Sequence, residues 1–298
     1  MIFLHQFEKR FFELLTHVNK TKLVFLQTGS NKYLMKLKKI LGIDIGGSGI
    51  KGAIVNTKKG KLLTKRYRIP TPFPATPEAV AEVIKKIVAH YKWKGPIGVG
   101  FPGVIQQGYA RTAANLDSSW VDANLNKLFA KKTGCNVHVV NDADAAGMAE
   151  MKFGSGSGFR GVALLVTVGT GLGTVVFANG KLLPNMEMGH ILLHGEDAEI
   201  YASDAARKAN ELSWETWAGR FNEYLARMED LLWPDLIIIG GGASKKDEEF
   251  LHLLKTRAKV VPATLLNEAG IIGAALTSKY YCKLEKAQEK SIKKKKKA

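Results

Sequence analysis

Two glycine-rich turns, each set between two apolar runs of strand type, constrain this chain more than any other feature. The first is Gly46-Gly47-Ser48-Gly49, between Ile40–Ile45 and Ile50–Val55. The second is Gly169-Thr170-Gly171, between Val162–Val168 and Leu172–Ala178. A dinucleotide fingerprint needs a helix directly after its glycines. Here a second strand follows, so each run makes a tight β-turn instead. Such a turn exposes backbone N–H groups that a phosphate approaches without interference from a Cβ. One turn of this kind suits an ordinary hairpin equally well. Two, at equivalent places in two halves, argue for a shared phosphate ligand.

The elements around the turns repeat as well. After the first hairpin, Leu62–Arg68 reads as a third strand, and Thr76-Pro77-Glu78 opens a helix with Thr76 as N-cap. Val80, Val83, Ile84, Ile87, Val88 and Tyr91 form its apolar face at helical spacing. A strand at Ile97–Phe101, a helix at 122–133 closed by Gly134, a strand at Val137–Val140 and a helix at 142–152 follow. In the second half, Asn179-Gly180 turns the chain into a third short strand. The spacing then predicts a helix over 213–232, a strand at Leu236–Ile239, a helix near 246–255, a strand at 259–261 and a helix from 268 to 281. The order βββαβαβα thus appears twice. That is the α/β architecture of the actin-like ATPase (ribonuclease H-like) fold, two domains around a cleft. The expected division is a small domain from 37–141 plus 268–282 and a large domain from 142–267. Residues 1–36 show no clean period and read as a poorly ordered extension, with Met35 a candidate start of the folded unit.

The net charge of +17 suggests a nucleic-acid binder until it is partitioned. Residues 1–39 hold eight Lys/Arg against two Glu, and residues 283–298 hold eight Lys against two Glu. The two ends therefore carry +6 each, and the remainder only +5. The Lys-rich tail 283–298 is expected to be solvated and disordered, because like charges repel and little there is apolar. A repressor-style DNA-binding domain has no room in 36 unpatterned residues, so no specific nucleic acid is expected. No apolar run reaches the 18 residues of a membrane span. Cys135 and Cys282 are the only cysteines. They exclude a disulfide framework, point to a reducing cytoplasm, and argue against a structural zinc site.

Several residues carry candidate chemistry. Asp44, just before the first turn, is placed to hold a hydrated magnesium ion, with Gly46, Gly47, Ser48 and Lys51 beside it. Thr167, Gly169, Thr170 and Gly171 form the opposing turn. Gly240-Gly241-Gly242 ends the strand Leu236–Ile239, where a helix N-terminus can meet a phosphate tail or where the chain simply turns. Asn141-Asp142 stands at the carboxyl end of a strand, the ligand edge of open α/β sheets. Asp142 is the candidate general base and Asn141 a hydrogen-bond partner of the acceptor, although either residue also suits an N-cap. Glu187 and His190, three residues apart, can grip neighbouring hydroxyls. Asn115, Asp117 and Glu199 are candidates for the other rim of an acceptor site.

Together DIGGSGIKG, Asn141-Asp142, TVGTGLGT and the ExGH motif at Glu187–His190 resemble the ROK sugar kinases, from about Leu37 to Tyr281. Within that family, GIDIGGSGIKGAIV, TAANLDSSW, NDADAAGMAE and NEAGIIGAAL look closest to the polyphosphate glucokinases. The resemblance implies phosphoryl transfer to the 6-hydroxyl of glucose, from polyphosphate or ATP, with Mg2+. It implies Asp142 as base, Asn115, Asn141, Glu187 and His190 on glucose, the two turns on phosphate, and a homodimer. Many members follow ExGH with a CxCGxxGC zinc cluster. Here GHILLHGEDAEIYAS stands instead, so no zinc is expected, and Glu199 can replace the glutamate that ends the cluster. Two alternatives stay open: an ATP-dependent hexokinase for glucose or mannose, and a non-catalytic sugar-binding protein.

Overall fold

The computed structural model of the chain describes residues 37–113 and 116–295. The expected extension 1–36, the candidate Asn115 and the last three residues lie outside these. The first half comprises β1 (Lys39–Gly46), β2 (Gly49–Asn56), β3 (Lys61–Leu62), β4 (Tyr67–Ile69), α1 (Pro77–His90), β5 (Ile97–Phe101), β6 (Ile105–Gln106), β7 (Tyr109–Ala110), α2 (Leu125–Thr133), β8 (Val137–Asn141) and α3 (Asp142–Phe153). The second comprises β9 (Val162–Val168), β10 (Leu172–Ala178), β11 (Lys181–Leu183), β12 (Leu192–Leu193), β13 (Glu196–Asp197), α4 (Ala198–Ala202), α5 (Asp204–Ala209) and α6 (Trp214–Leu232). It continues with β14 (Leu236–Gly241), α7 (Asp247–Phe250), β15 (Lys259–Pro262) and α8 (Ala269–Lys295).

The duplication read from the sequence is present in the sheet topology. One sheet runs β3-β2-β1-β5-β8 with β4 also on β2, and the other runs β11-β10-β9-β14-β15. In each, a central strand pairs antiparallel with the strand after its glycine turn and parallel with the strand on its other side. Parallel pairing directs β1, β5 and β8 toward one edge, and β9 and β14 toward another. The carboxyl ends of these strands are where ligands bind in sheets of this type.

The layers follow from which faces are apolar. In the first sheet, Ile43, Ile45, Val99 and Phe101 pack with Val80, Ile84 and Ile87 of α1 and Phe129 of α2. In the second, Leu164, Val166 and Ile237 pack under Trp217, Phe221 and Leu225 of α6. The opposite face of the second sheet, through Leu165, Val175 and Phe177, meets Ala143 and Met148 of α3. Helix α8 covers the other face of the first sheet at close range. A methyl group at Gly98 would come within 1.8 Å of the Ala274 carbonyl oxygen, and one at Gly42 within 2.0 Å of that of Ile271. Helices α3 and α8 also touch directly, since a methyl at Gly273 would meet the Ala145 carbonyl at 1.6 Å. The α3–α8 pair thus stands between the two sheets. α3, expected at the start of the large domain, is shared by both halves.

Most boundaries match the sequence reading, and the exceptions have local causes. Asn124 caps α2 by accepting from Lys127 N at 3.0 Å, so this helix starts at Leu125 rather than 122. The expected strand Leu62–Arg68 breaks into β3 and β4 because Thr64 Oγ1 accepts from Ile54 N at 3.1 Å, replacing a ladder bond. The helix expected near 246–255 is only the four-residue α7 between short 3-10 turns. Helix α8 continues to Lys295, where disorder was expected from residue 283. Lys, Glu, Ala and Gln are good helix formers, and His138 of β8 holds Glu285 with an Nε2···Oε1 distance of 2.9 Å.

Candidate active site

The site begins with the end of β8. Asn141 is the N-cap of α3, its Oδ1 accepting from Asp144 N at 2.9 Å. Its amide nitrogen faces the other way, 3.2 Å from Gly103 O and 3.3 Å from Glu187 Oε1. Capping therefore uses one end of this side chain and leaves the other to the cleft. Asp142, the first residue of α3, accepts from Ala143 N at 2.8 Å. Burial first, then the Asp44 and Glu187 carboxylates, push its carboxyl up to about 7.

Asp44 and Asp142 both lie beside Gly100. A methyl at Gly100 would lie 3.7 Å from Asp142 Cβ and 3.8 Å from Asp44 Oδ1. β-pairing fixes this, with Asp44 opposite Gly100 and Gly100 opposite Val140. Burial raises the Asp44 carboxyl while Lys51 and Arg66 oppose that rise. Lys51 Nζ is 3.9 Å from Asp44 Oδ2. The start of α8 also faces Asp44: a methyl at Gly270 would meet its carboxylate at 3.1 Å.

A cavity of about 220 Å³ joins these groups. Asp44, Lys51 and Asp142 line it together with Thr167, Gly240, Gly241, Gly242, Asn267 and Gly270. Gly241 has φ +82°, and a side chain there would meet the Val168 backbone at 2.4 Å, so only glycine lets β14 end this close to the second turn. The expected residues of the turns themselves are placed beside the cavity rather than in its lining. Gly46, Gly47 and Ser48 form the β1–β2 turn. Arg68 Nη2 donates to Ser48 O at 2.5 Å and Thr71 Oγ1 to Gly46 O at 2.5 Å, tying carbonyls back. Gly169, Thr170 and Gly171 form the β9–β10 turn, in which Gly169 N donates to Gly171 O at 3.0 Å.

The third group lies on the segment after β11. Glu187 has its carboxyl raised by burial, and is coupled to His190 and Glu199. His190 Nδ1 lies 2.8 Å from Asp197 Oδ2, and this bond is the main reason its imidazole holds a proton more firmly than usual. Glu199 Oε2 accepts from Leu172 N at 3.2 Å, so this residue links the acceptor side to the second turn. His190, Asp197 and Glu199 also hold three donor atoms within 4.8 Å of one another. Asp117 serves a local role. It caps the 3-10 turn Ser118–Trp120, and the Ser119 hydroxyl, then the Ser119 N–H at 2.9 Å, donate to it and pull its carboxyl below the usual range.

Sequence reasoning missed Asp197, Asn267 and Gly270. Asp197 carried a signal, an acid seven residues after His190 across a tight hairpin. Gly270 acts by lacking a side chain, which no motif announces. The basic residues after the first hairpin divide: Arg66 and Arg68 reach the cleft end of β2, whereas Lys58, Lys59 and Lys61 lie at its other end, roughly 20 Å away at strand rise.

Comparison with known proteins identifies the family. The family model described as ROK family matches residues 40–207. The polyphosphate glucokinase of Mycobacterium tuberculosis is 46% identical over 238 residues, covering 80% of this chain and 90% of that protein. The crystal structure of inorganic polyphosphate/ATP-glucomannokinase from Arthrobacter sp. strain KM is 48% identical, with a TM-score of 0.77, over 80% of this chain and 97% of that one. The ROK family glucokinase from Streptomyces griseus, solved with glucose and AMPPNP, is 25% identical with a TM-score of 0.68, over 80% and 98%.

Proposed function

The chain belongs to the ROK family of sugar kinases, and we propose that it transfers a phosphoryl group from inorganic polyphosphate to the 6-hydroxyl of glucose. One observation carries the reading. Asp142 lines the cavity that holds Asp44, Lys51, Thr167 and Gly240–Gly242, while its neighbour Asn141 is bonded to Glu187 on the acceptor side. A single pair of adjacent residues thus touches both substrates' ground.

In the proposed mechanism, Asn141, Glu187, His190 and Glu199 hold the sugar hydroxyls. Asp142 accepts the proton of the 6-hydroxyl as that oxygen attacks the terminal phosphorus. A carboxyl near 7 is matched to this task, being ionised in a large fraction of molecules at neutral pH yet more basic than an ordinary carboxylate. Backbone N–H groups at Gly240–Gly242 and those left free in the two turns beside the cavity cradle the donor, and Lys51 and Arg66 offset its charge. Asp44 suits a hydrated Mg2+, since it presents oxygen donors in the cavity and its ion pair with Lys51 is long at 3.9 Å. When bound, that ion neutralises charge on the transferring phosphate. Asn115 joins the glucose site on the family resemblance alone. Asp117 is engaged by Ser119 and belongs to the rim.

ATP is a second donor favoured by a specific feature: beyond Gly242 the same cavity is walled by Ala263, Leu266 and Asn267, an apolar-to-polar surface that a nucleoside can use. The proposal extends to a homodimer in the cytoplasm, supported by the family resemblance and by the unpaired, buried Cys135 and Cys282. Among the described residues, no helix is long and apolar enough to cross a membrane.

The test is glucose 6-phosphate formation by the purified chain with Mg2+, comparing polyphosphate and ATP at equal phosphate. Turnover with polyphosphate that falls steeply with added salt is expected, because a polyanion is held through released counterions. Turnover with ATP alone would overturn the polyphosphate assignment, and none with either donor would overturn the kinase reading.

A further inference from the structure

A second cluster of donor groups lies away from the cleft, where the last helix crosses the first sheet. His138 projects from β8, and Cys282 and Glu285 project from one face of α8 at i,i+3 spacing. Donor atoms of all three lie within 4.8 Å of one another. His138 is 4% exposed and Cys282 1%, so two of the three donors are withdrawn from water.

We propose that His138, Cys282 and Glu285 bind a zinc-type transition-metal ion that fastens the C-terminal part of α8 to β8. The donor set is one imidazole nitrogen, one sulfur and one carboxylate oxygen. Mixed nitrogen and sulfur ligands select zinc-like ions and disfavour Mg2+ and Ca2+, which take oxygen alone. Zinc bonds of about 2.0–2.3 Å at tetrahedral angles put donor atoms roughly 3.5 Å apart. The three atoms are therefore within about 1 Å of a coordinating arrangement.

The surroundings are those of a supported site. Ser278 Oγ lies 3.1 Å from His138 Nδ1, which leaves Nε2 to meet Glu285 Oε1 at 2.9 Å. A hydrogen bond to the distal ring nitrogen is the usual device for fixing a metal-binding imidazole. Asn136 Nδ2 donates to Glu285 Oε2 at 3.1 Å and lies 3.9 Å from Cys282 Sγ, steadying both other donors. Tyr281 stacks on the imidazole, ring centroids 5.5 Å apart and planes 8° from parallel. His138 and Glu285 also line a cavity of about 870 Å³, which gives an ion a route in and room for a fourth, water ligand. Ser278 is fully buried, so Ser278–His138–Glu285 does not act as a nucleophilic triad despite its order of contacts.

The expectation of no zinc rested on the missing cysteine cluster after His190 and on two isolated cysteines. A mixed site whose ends, His138 and Glu285, are 147 residues apart departs from that expectation.

The test uses the full-length, tag-free chain, reduced and stripped of metal, titrated with Co2+ and then with Zn2+. One equivalent of Co2+ with a sulfur-to-metal charge-transfer band is expected, displaced by Zn2+ and absent in Cys282→Ser. Zn2+ is expected to raise the melting temperature of the wild type but not of His138→Gln. Should either buried variant fail to fold, Glu285→Gln alters an exposed carboxylate and is expected to weaken Zn2+ binding at least about tenfold. Absence of Co2+ uptake, or unchanged affinity in Glu285→Gln, would overturn the proposal. A bound ion without the sulfur band would place the metal at a site that lacks Cys282 and overturn it equally.

Discussion

Asn141 holds Glu187 and the first turn of helix α3 at once: its Nδ2 is 3.3 Å from Glu187 Oε1, and its Oδ1 accepts from Asp144 N at 2.9 Å. The amide therefore couples the rotamer of a proposed sugar ligand to the start of the helix that carries Asp142. Asn141→Ala removes both contacts. Loss of the cap costs about 1 kcal/mol, a fall in melting temperature of roughly 2–4 °C for a chain of this size. Loss of the outward N–H should also raise the KM for glucose about tenfold, the equivalent of one hydrogen bond to a polar substrate. Asn141→Ser keeps a capping oxygen without adding a charge beside Glu187, and should restore stability without restoring KM. Thermal melts and initial-rate kinetics on the two variants separate these effects. An unchanged KM in Asn141→Ala would reduce Asn141 to a cap.

The Asp142 carboxyl, pushed up to about 7 by burial and by Asp44 and Glu187, sets a pH limb. A base must be ionised, so kcat/KM for glucose should rise with pH and level off above about 7. Glu187→Gln removes one of the neighbouring negative charges, so the limb should move to lower pH even though overall activity drops. pH–rate profiles of both forms check this. A limb that stays in place would mean that Glu187 does not act on Asp142.

Asp144 offers a stability prediction independent of turnover. It is 1% exposed, its Oδ2 accepts from Asn185 N at 2.9 Å, and its Oδ1 has no partner. Burial raises its carboxyl to about 7, with the Asn185 N–H opposing and Glu187 adding. Between about pH 4 and 7 the folded chain retains a proton that the unfolded chain has released. Stability therefore falls as pH rises through that window, by on the order of a few kcal/mol. Asp142 contributes in the same direction. Asp144→Asn keeps an oxygen for Asn185 N and has no proton to lose, so its stability should vary less across the window. Denaturant unfolding at pH 4.5 and 7.5 measures the difference, and equal pH dependence in both proteins would contradict the assignment.

The architecture was legible because its signals are local and repeated. Apolar runs of strand length flank glycine turns at Gly46–Gly49 and Gly169–Gly171, and the capped α1 and α6 carry clear helical stripes. Pieces shorter than a helical period left no such mark, which is why α4, α5 and the reduced α7 went unforeseen. Within the site, Asp142, Asn141, Glu187 and His190 announced themselves as polar groups at strand ends or turns. Asn267 did not, because it meets Arg66 only through a contact between residues 201 apart in sequence. Gly270 and Gly98 act by what they leave out, and a missing side chain is informative only once the neighbouring atoms are known. The length of α8 was underestimated because charge repulsion was weighed and helix propensity was not.

The most direct measurement of the central claim compares glucose binding and turnover in Asp142→Asn. Removing a general base lowers kcat by roughly 100- to 10,000-fold, while the proposed sugar contacts of Asn141, Glu187, His190 and Glu199 remain. Calorimetric titration should therefore show glucose affinity within about threefold of wild type alongside near-complete loss of polyphosphate-dependent glucose 6-phosphate formation. Turnover within a few-fold of wild type at unchanged affinity would contradict the account and remove Asp142 from the proton-accepting role.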